Sequence, residues 1–205
     1  MAGSLFTAHC SLVGGVWLQW CARNPLEIWS PHMNSAEAKT IANFLCTDYS
    51  HEVDTTLRVL GAVPANHLDY SPDAKSKTAL GLLRHLALED EWLLNCVAAG
   101  AFTPPPDDSD ACGILTPADA VAHYRARIPA AIERVRALTP EQLTQVLDMF
   151  GLMQMPAVQF LGLAVKHSVH HRGQLSTYLR AMGGAVPGIY GPSADSQPMA
   201  EAAAN

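Results

Sequence analysis

The chain has 205 residues, of which 49% are hydrophobic and 16% charged, a composition typical of one domain that buries a core. A formal net charge of −6, with only 13 lysines and arginines, argues against binding to nucleic-acid phosphates. No run of about 18 apolar residues is present that could span a bilayer. The five cysteines are widely spaced and form no Cys-x-x-Cys pair, which argues against a disulfide framework and predicts a cytoplasmic protein.

Residues 1–32 differ from the rest of the chain. They contain three of the four tryptophans but only two charged residues, Arg23 and Glu27, and they show no sustained helical period. A secretory signal peptide carries its basic residues ahead of its apolar stretch, whereas Arg23 follows the apolar run here. We therefore predict that residues 1–32 are a poorly ordered extension and that Met33 is a candidate translation start.

Four later segments have the spacing of amphipathic helices, and no segment of four or more residues shows strand alternation between turns. The first helix is predicted from about Ser35, as its N-cap, to Leu60. Its predicted inward stripe consists of Ile41, Phe44, Leu45, Tyr49, Val53, Leu57 and Leu60. The second helix is predicted from about Lys77 to Ala99, with an inward face that includes Leu82, His85, Leu86, Glu89 and Leu93.

A proline-rich loop of about 17 residues, AFTPPPDDSDACGILTP, follows the second helix and is long enough to cross the end of a bundle. Thr116 and Pro117 are a typical helix start, and the third helix is predicted to run to about Leu138 with a kink at Pro129. After a short helical turn beyond Pro140, the fourth helix is predicted over about 156–182. Residues 185–205 are predicted as a coil tail, and the fold class as all-α.

His167 and His171 lie four residues apart in the segment KHSVHHRGQ. On a helix, this spacing places two imidazoles one turn apart, where both can bind one ion. Both share a predicted inward stripe with the apolar residues Phe160, Ala164, Leu175, Tyr178 and Met182. Because an unpaired buried polar group costs about 1 to 3 kcal/mol, a bound metal ion is the simplest partner for these histidines.

His85, on the inward face of the second helix, is the predicted third ligand. His170 is an alternative to His171, because it lies about 60° to one side of His167 on a helix while His171 lies about 40° to the other. His171 is preferred because it shares a true i, i+4 line with His167.

Glu89 follows His85 by four residues and therefore shares its helix face. It is a candidate fourth ligand, general base or orienting partner of His85. The alternative is a partly exposed charge, since Glu89, Asp90 and Glu91 form an acidic run and such runs are usually solvated faces. Arg172 and Gln174 are candidates for supporting the ligands or for binding an anionic substrate.

The segment HSVHHRGQLSTYLRAMG resembles the His-x-x-x-His-Arg-Gly-Gln signature of the DinB family, and LLRHLALEDEWLL and VPGIYGPSAD are weaker similarities to it. The resemblance implies a four-helix bundle with long crossover connections, often dimeric. It also implies a divalent ion held by His85, His167 and His171. We therefore expect a DinB-like metal-binding bundle over 33–184, between the N-terminal extension and the tail.

Two functions are compatible with these residues. Relatives implied by the resemblance include transferases that conjugate low-molecular-weight thiols, so we expect a metal-dependent enzyme, either a thiol transferase or a hydrolase, with a small-molecule substrate. The alternative is a metal-binding or stress-response regulatory protein without turnover. Imidazole ligands suit several metals, and zinc or nickel is expected first, with iron or manganese as alternatives and a low-molecular-weight thiol as a further cofactor.

Overall fold

The computed structural model describes residues 33–196, and the predictions for 1–32 and 197–205 lie outside this range. Its helices and strands follow in the order α1 (Ser35–Gly61), α2 (Ala79–Ala99), a 3₁₀ turn (Asp110–Cys112), α3 (Pro117–Arg136), α4 (Pro140–Thr144), β1 (Val146–Met149), β2 (Met153–Pro156) and α5 (Ala157–Ala181). The four long helices form a bundle, in which α1 and α2 each pack mainly against α3 and α5. The predicted all-α four-helix bundle with long connections is confirmed.

Local capping explains where the long helices begin. Asn34, not the predicted Ser35, caps α1, because its side chain accepts from the Glu37 amide while the Glu37 carboxylate accepts from the Asn34 amide. The second helix begins two residues later than predicted, because the Thr78 hydroxyl caps it through the Gly81 amide. The third begins as predicted, with Thr116 as N-cap.

The interior face of α1 differs from the predicted stripe. Ile41 is 39% exposed and Phe44 is 68% exposed, whereas the buried face is formed by Ala38, Ala42, Cys46, Tyr49, Val53, Thr56 and Leu60. This face also recurs at steps of three and four, but it begins with small residues. Because the prediction followed the largest apolar side chains, it missed the small residues of the interior face.

A β-hairpin between α4 and α5 contradicts the prediction that no segment forms a strand. Strands β1 and β2 are antiparallel, with Val146 paired to Pro156 and Met149 to Met153. Each strand has only four residues, too few for the alternation to stand out from the neighbouring helical pattern. The turn also lacks the usual Asn-Gly signal, because Phe150 and Gly151 occupy its two positive-φ positions.

The core lies between the four long helices, and its largest fully buried apolar side chains include Tyr49, Tyr124, Phe160, Leu82 and Ile132. Within residues 33–196, none of the helices combines the length and the apolar character needed to cross a bilayer. Residues 185–196 form neither helix nor strand, but they are attached to α5 by the Arg180–Asp195 ion pair at 3.0 Å.

Candidate metal centre

Three histidines converge between α2 and α5. The Nε2 atom of His85 lies 3.0 Å from Nε2 of His171 and 3.2 Å from Nε2 of His167. The antiparallel packing of α2 and α5 brings them together, since Lys77 of the segment before α2 is bonded to Tyr178, near the end of α5, while Asp90 contacts His167. Within residues 33–196, these three form a group of side chains whose ligand atoms are close enough to hold one metal ion.

The opposite ring nitrogen of each histidine faces an oxygen atom. Nδ1 of His167 lies 2.9 Å from Asp90 Oδ1, and Nδ1 of His171 lies 3.0 Å from Gln174 Oε1. Nδ1 of His85 lies 3.1 Å from Glu89 Oε1, without the alignment of a regular hydrogen bond. Oxygen acceptors at Nδ1 favour the tautomer that leaves a lone pair on Nε2.

With a proton on each Nδ1, the Nε2 lone pair of His85 faces the Nε2 lone pairs of His171 and His167 at 3.0 and 3.2 Å. Such an arrangement is repulsive by itself and becomes favourable when a cation lies among the three nitrogens. The residues therefore fit a divalent ion, and three imidazole ligands leave further coordination positions for a small molecule.

Asp90 is the supporting residue that the sequence analysis did not identify. Its side chain is fully buried, and it accepts hydrogen bonds from His167 and, at 2.9 Å, from the Tyr124 hydroxyl. Burial and the Asp90 charge raise the pKa of Tyr124 well above its usual value, so the phenol remains a donor. Asp90 thus holds Nδ1 of His167 while Nε2 of the same ring faces the other histidines, which is the carboxylate–histidine arrangement common at metal centres.

The Asp90→Asn variant is expected to bind metal about 10- to 100-fold more weakly than the wild type, because it removes the carboxylate that orients the His167 ring. Competition with a chromophoric chelator would measure the affinity. Asp54→Asn, an exposed site on α1, is the matched control and should leave the affinity unchanged. Equal affinities for Asp90→Asn and wild type would contradict a role for Asp90 at this centre.

Glu89 lies beside the three histidines and is partly exposed, so it combines the predicted contact with His85 and the predicted partial exposure. Its side chain is 30% exposed, and Oε2 lies 3.8 Å from His167 Nε2. Burial raises the pKa of the Glu89 carboxyl, but the contact with His85 and the charges of His85, His167 and Lys77 outweigh burial and lower the pKa below its usual value. Glu89 is therefore an ionised group next to the candidate centre at neutral pH.

His170, the alternative ligand, is exposed and does not join the three converging rings. Its ring centroid lies 4.7 Å from that of His171 in an edge-to-face contact. Gln174 contacts Nδ1 of His171, in agreement with the prediction that it supports a ligand. Arg172 does not face this site, because its guanidinium is buried against Glu52 and bonded to the Tyr190 hydroxyl at 2.6 Å.

The ionisation of His171 predicts how the stability of the metal-free protein depends on pH. Burial, followed by the charges of His167 and His85, lowers the pKa of His171 from 6.5 to about 3. The unfolded chain therefore binds a proton at this residue near pH 6.5 that the folded protein does not bind until near pH 3. The His171 contribution to stability is fully present above pH 6.5, and stability should fall by on the order of 4 to 5 kcal/mol as the pH decreases to 3.

Urea unfolding of the metal-free protein between pH 7 and pH 4 would measure this dependence. The His171→Gln variant should show a shallower decrease, whereas His170→Gln, at the exposed neighbouring position, should match the wild type. Identical slopes for wild type and His171→Gln would contradict the assignment.

Two curated proteins of Bacillus subtilis are similar to this chain. The uncharacterized protein YjoA is 23% identical over 145 residues, which cover 69% of this chain and 91% of YjoA. The uncharacterized protein YrdA is 26% identical over 156 residues, which cover 76% of this chain and 90% of YrdA.

Two crystal structures are similar to the fold. The DinB-like protein YjoA from Bacillus subtilis superposes with a TM-score of 0.58 at 20% identity, covering 73% of this chain and 99% of that one. A DinB-like protein from Bacillus cereus superposes with a TM-score of 0.57 at 24% identity, covering 71% and 95%. The sequence model of the DinB family matches residues 33–201, which include the whole bundle and all three converging histidines. The chain therefore belongs to the DinB family.

Proposed function

We propose that this protein is a metal-dependent enzyme that activates a low-molecular-weight thiol, or water, for attack on a small electrophilic substrate. The observation that carries the proposal is the convergence of three Nε2 atoms, with His85 3.0 and 3.2 Å from its two partners. His85, His167 and His171 would hold the ion. Three protein ligands are the number found in catalytic zinc sites, whereas structural zinc sites usually have four.

A divalent ion in this position would supply Lewis acidity, which brings the pKa of a thiol or water close to neutrality. Asp90 and Gln174 hold the rings of His167 and His171 in place through Nδ1. Glu89 is ionised and partly exposed, so its carboxylate can accept the proton that the thiol or water loses. The sulfur or oxygen then forms its bond to the electrophilic carbon, and the leaving group departs with the electron pair of the broken bond.

The proposal extends to the identity of the metal, while the oligomeric state and the location are predicted from the sequence alone. Imidazole ligands favour zinc or nickel in our proposal, with iron or manganese as alternatives. A homodimer and a cytoplasmic location stay predictions, as do the domain boundaries at 33 and 184.

The thiol reaction can be tested with monochlorobimane, in which the thiol sulfur replaces chloride and produces fluorescence. Zinc- or nickel-loaded protein should accelerate conjugation of at least one of several cellular thiols, and the Glu89→Gln variant should be slower at equal metal content. Glu133→Gln, an exposed carboxylate on α3, is the control for loss of charge. Absence of turnover with every thiol would contradict the transferase form of the proposal.

The second candidate function is metal binding without turnover, in a regulatory or stress-response role. The observation that favours it is the 3.8 Å separation between Glu89 Oε2 and His167 Nε2, since a small side-chain movement would make Glu89 a fourth ligand and close the centre. In that case Glu89→Gln should weaken metal binding itself. An unchanged metal affinity combined with slower conjugation favours the enzyme.

A further inference from the structure

Four aromatic side chains from different parts of the chain meet at one end of the α2–α5 interface. Phe102, in the loop after α2, has its ring centroid 4.7 Å from that of Phe160 on α5 and 5.6 Å from that of Trp92 on α2. Phe150, in the hairpin turn, lies 6.3 Å from Phe102. We call these four residues the aromatic cluster.

The aromatic cluster lies in line with the candidate metal centre. Trp92 follows His85 by seven residues on α2, and Phe160 precedes His167 by seven residues on α5. Seven residues are two helical turns on the same face, or about 10 Å along the axis. Because α2 and α5 are antiparallel, Trp92 and Phe160 are displaced from the histidines toward the same end of the interface. Glu89 lies on α2 between His85 and Trp92.

The cluster combines a buried base with an accessible rim. Phe160 is fully buried, Trp92 and Phe102 are half-buried, and Phe150 is 52% exposed. The indole Nε1 of Trp92 donates to the Thr103 carbonyl at 3.1 Å, so its polar atom has a partner and the rest of the ring is apolar surface. Aromatic side chains beside a few polar groups are the residue types that line small-molecule sites.

The backbone of Phe150 is strained. Its φ of 55° lies in the left-handed region, which glycine and asparagine usually occupy in such turns. The ring is half exposed, so burial in the core does not account for a phenylalanine at this position. Strain of this kind is concentrated at binding and catalytic sites. Here it places a half-exposed apolar ring beside Phe102, at the exposed edge of the cluster.

We propose that the aromatic cluster binds the apolar, aromatic end of the small-molecule substrate, while the polar, reacting end meets His85, His167 and His171. The proposal rests on the proposed function, because it requires a metal ion on the three histidines. It identifies the substrate class as an aryl or arylalkyl compound with its reacting group about 10 Å from the ring.

Hydroxamates of different length provide the test, because the hydroxamate head binds metal directly. Zinc-loaded protein should bind 4-phenylbutanohydroxamate at least about tenfold more tightly than acetohydroxamate, as expected for burial of one aromatic ring. In Phe150→Gly, the turn loses its strain and the protein should be no less stable, but the preference should decrease severalfold. Trp92→Ala should reduce it further, and Phe44→Ala, an exposed phenylalanine on α1, should retain it.

The readouts separate the two proposals. If acetohydroxamate binds the zinc-loaded protein but the phenyl derivative gains nothing, the aromatic site is wrong and the metal centre stands. If the preference for the phenyl derivative persists in both Phe150→Gly and Trp92→Ala, the aromatic cluster does not cause it and the aromatic site is wrong. If the protein retains no zinc and binds neither hydroxamate, the proposed function fails and the aromatic site fails with it.

Discussion

Replacing His167 with alanine is expected to reduce the divalent metal bound by the purified protein to background. His167 has the best-supported ring of the three, since its Nδ1 bonds to the fully buried Asp90 at 2.9 Å and its Nε2 lies 3.2 Å from that of His85. The variant leaves two protein ligands, fewer than zinc centres normally use. Elemental analysis of protein purified without a histidine tag is the measurement.

The neighbouring histidine provides the control for this experiment. His170→Ala changes an exposed residue on the same helix and should retain metal, whereas His171→Ala and His85→Ala should lose it. Circular dichroism would verify that each variant remains helical. Retention of metal by His167→Ala would exclude the converging histidines as the site. Loss in His170→Ala with retention in His171→Ala would instead support the alternative pairing.

Replacing Arg172 with alanine is expected to destabilise the protein by about 3 to 5 kcal/mol, the cost of breaking a buried ion pair. Arg172 is 1% exposed and paired with Glu52, whose side chain is only 12% exposed. Without the guanidinium, the Glu52 carboxylate would remain largely buried and without its countercharge. The Tyr190 hydroxyl would also lose its donor, which would detach part of residues 185–196 from α5.

An exposed pair on the same helix is the matched control. Arg180 bonds to Asp195 at 3.0 Å but is 58% exposed, so Arg180→Ala should cost less than about 1 kcal/mol. Replacing both buried partners, with Arg172→Met and Glu52→Leu, should recover much of the loss because no unpaired charge remains. Urea unfolding followed by circular dichroism measures all three, and equal costs at Arg172 and Arg180 would contradict the prediction.

Local spacing was sufficient where the relevant contacts lie within one helix. The four-residue separation of His167 and His171 predicted that the two rings lie one turn apart, and the i, i+4 relation of His85 and Glu89 predicted their contact. Helix termini were predicted to within about two residues because capping is also local. The exceptions were short elements, such as the four-residue strands on either side of Phe150.

The acidic run in α2 shows which contacts a local pattern does not predict. Glu89, Asp90 and Glu91 are chemically alike and adjacent, but the structure gives them different partners: Glu89 lies beside His85, Asp90 under His167, and Glu91 2.7 Å from His123 of α3. Successive helical residues point about 100° apart, so each faces a different neighbour. Which neighbour that is depends on the positions of α3 and α5.

The sequence by itself determined the four helices, the family and the pair of histidines on one helix turn, because periodicity, capping and a contiguous motif are properties of the local chain. His85 was expected as the third ligand, but only the tertiary structure shows that its ring lies beside the other two, that Asp90 supports His167 and that Arg172 faces away toward Glu52. These relations join residues 77 to 120 positions apart in the chain. The relative shift and rotation of packed helices determine them, and no local pattern encodes those quantities.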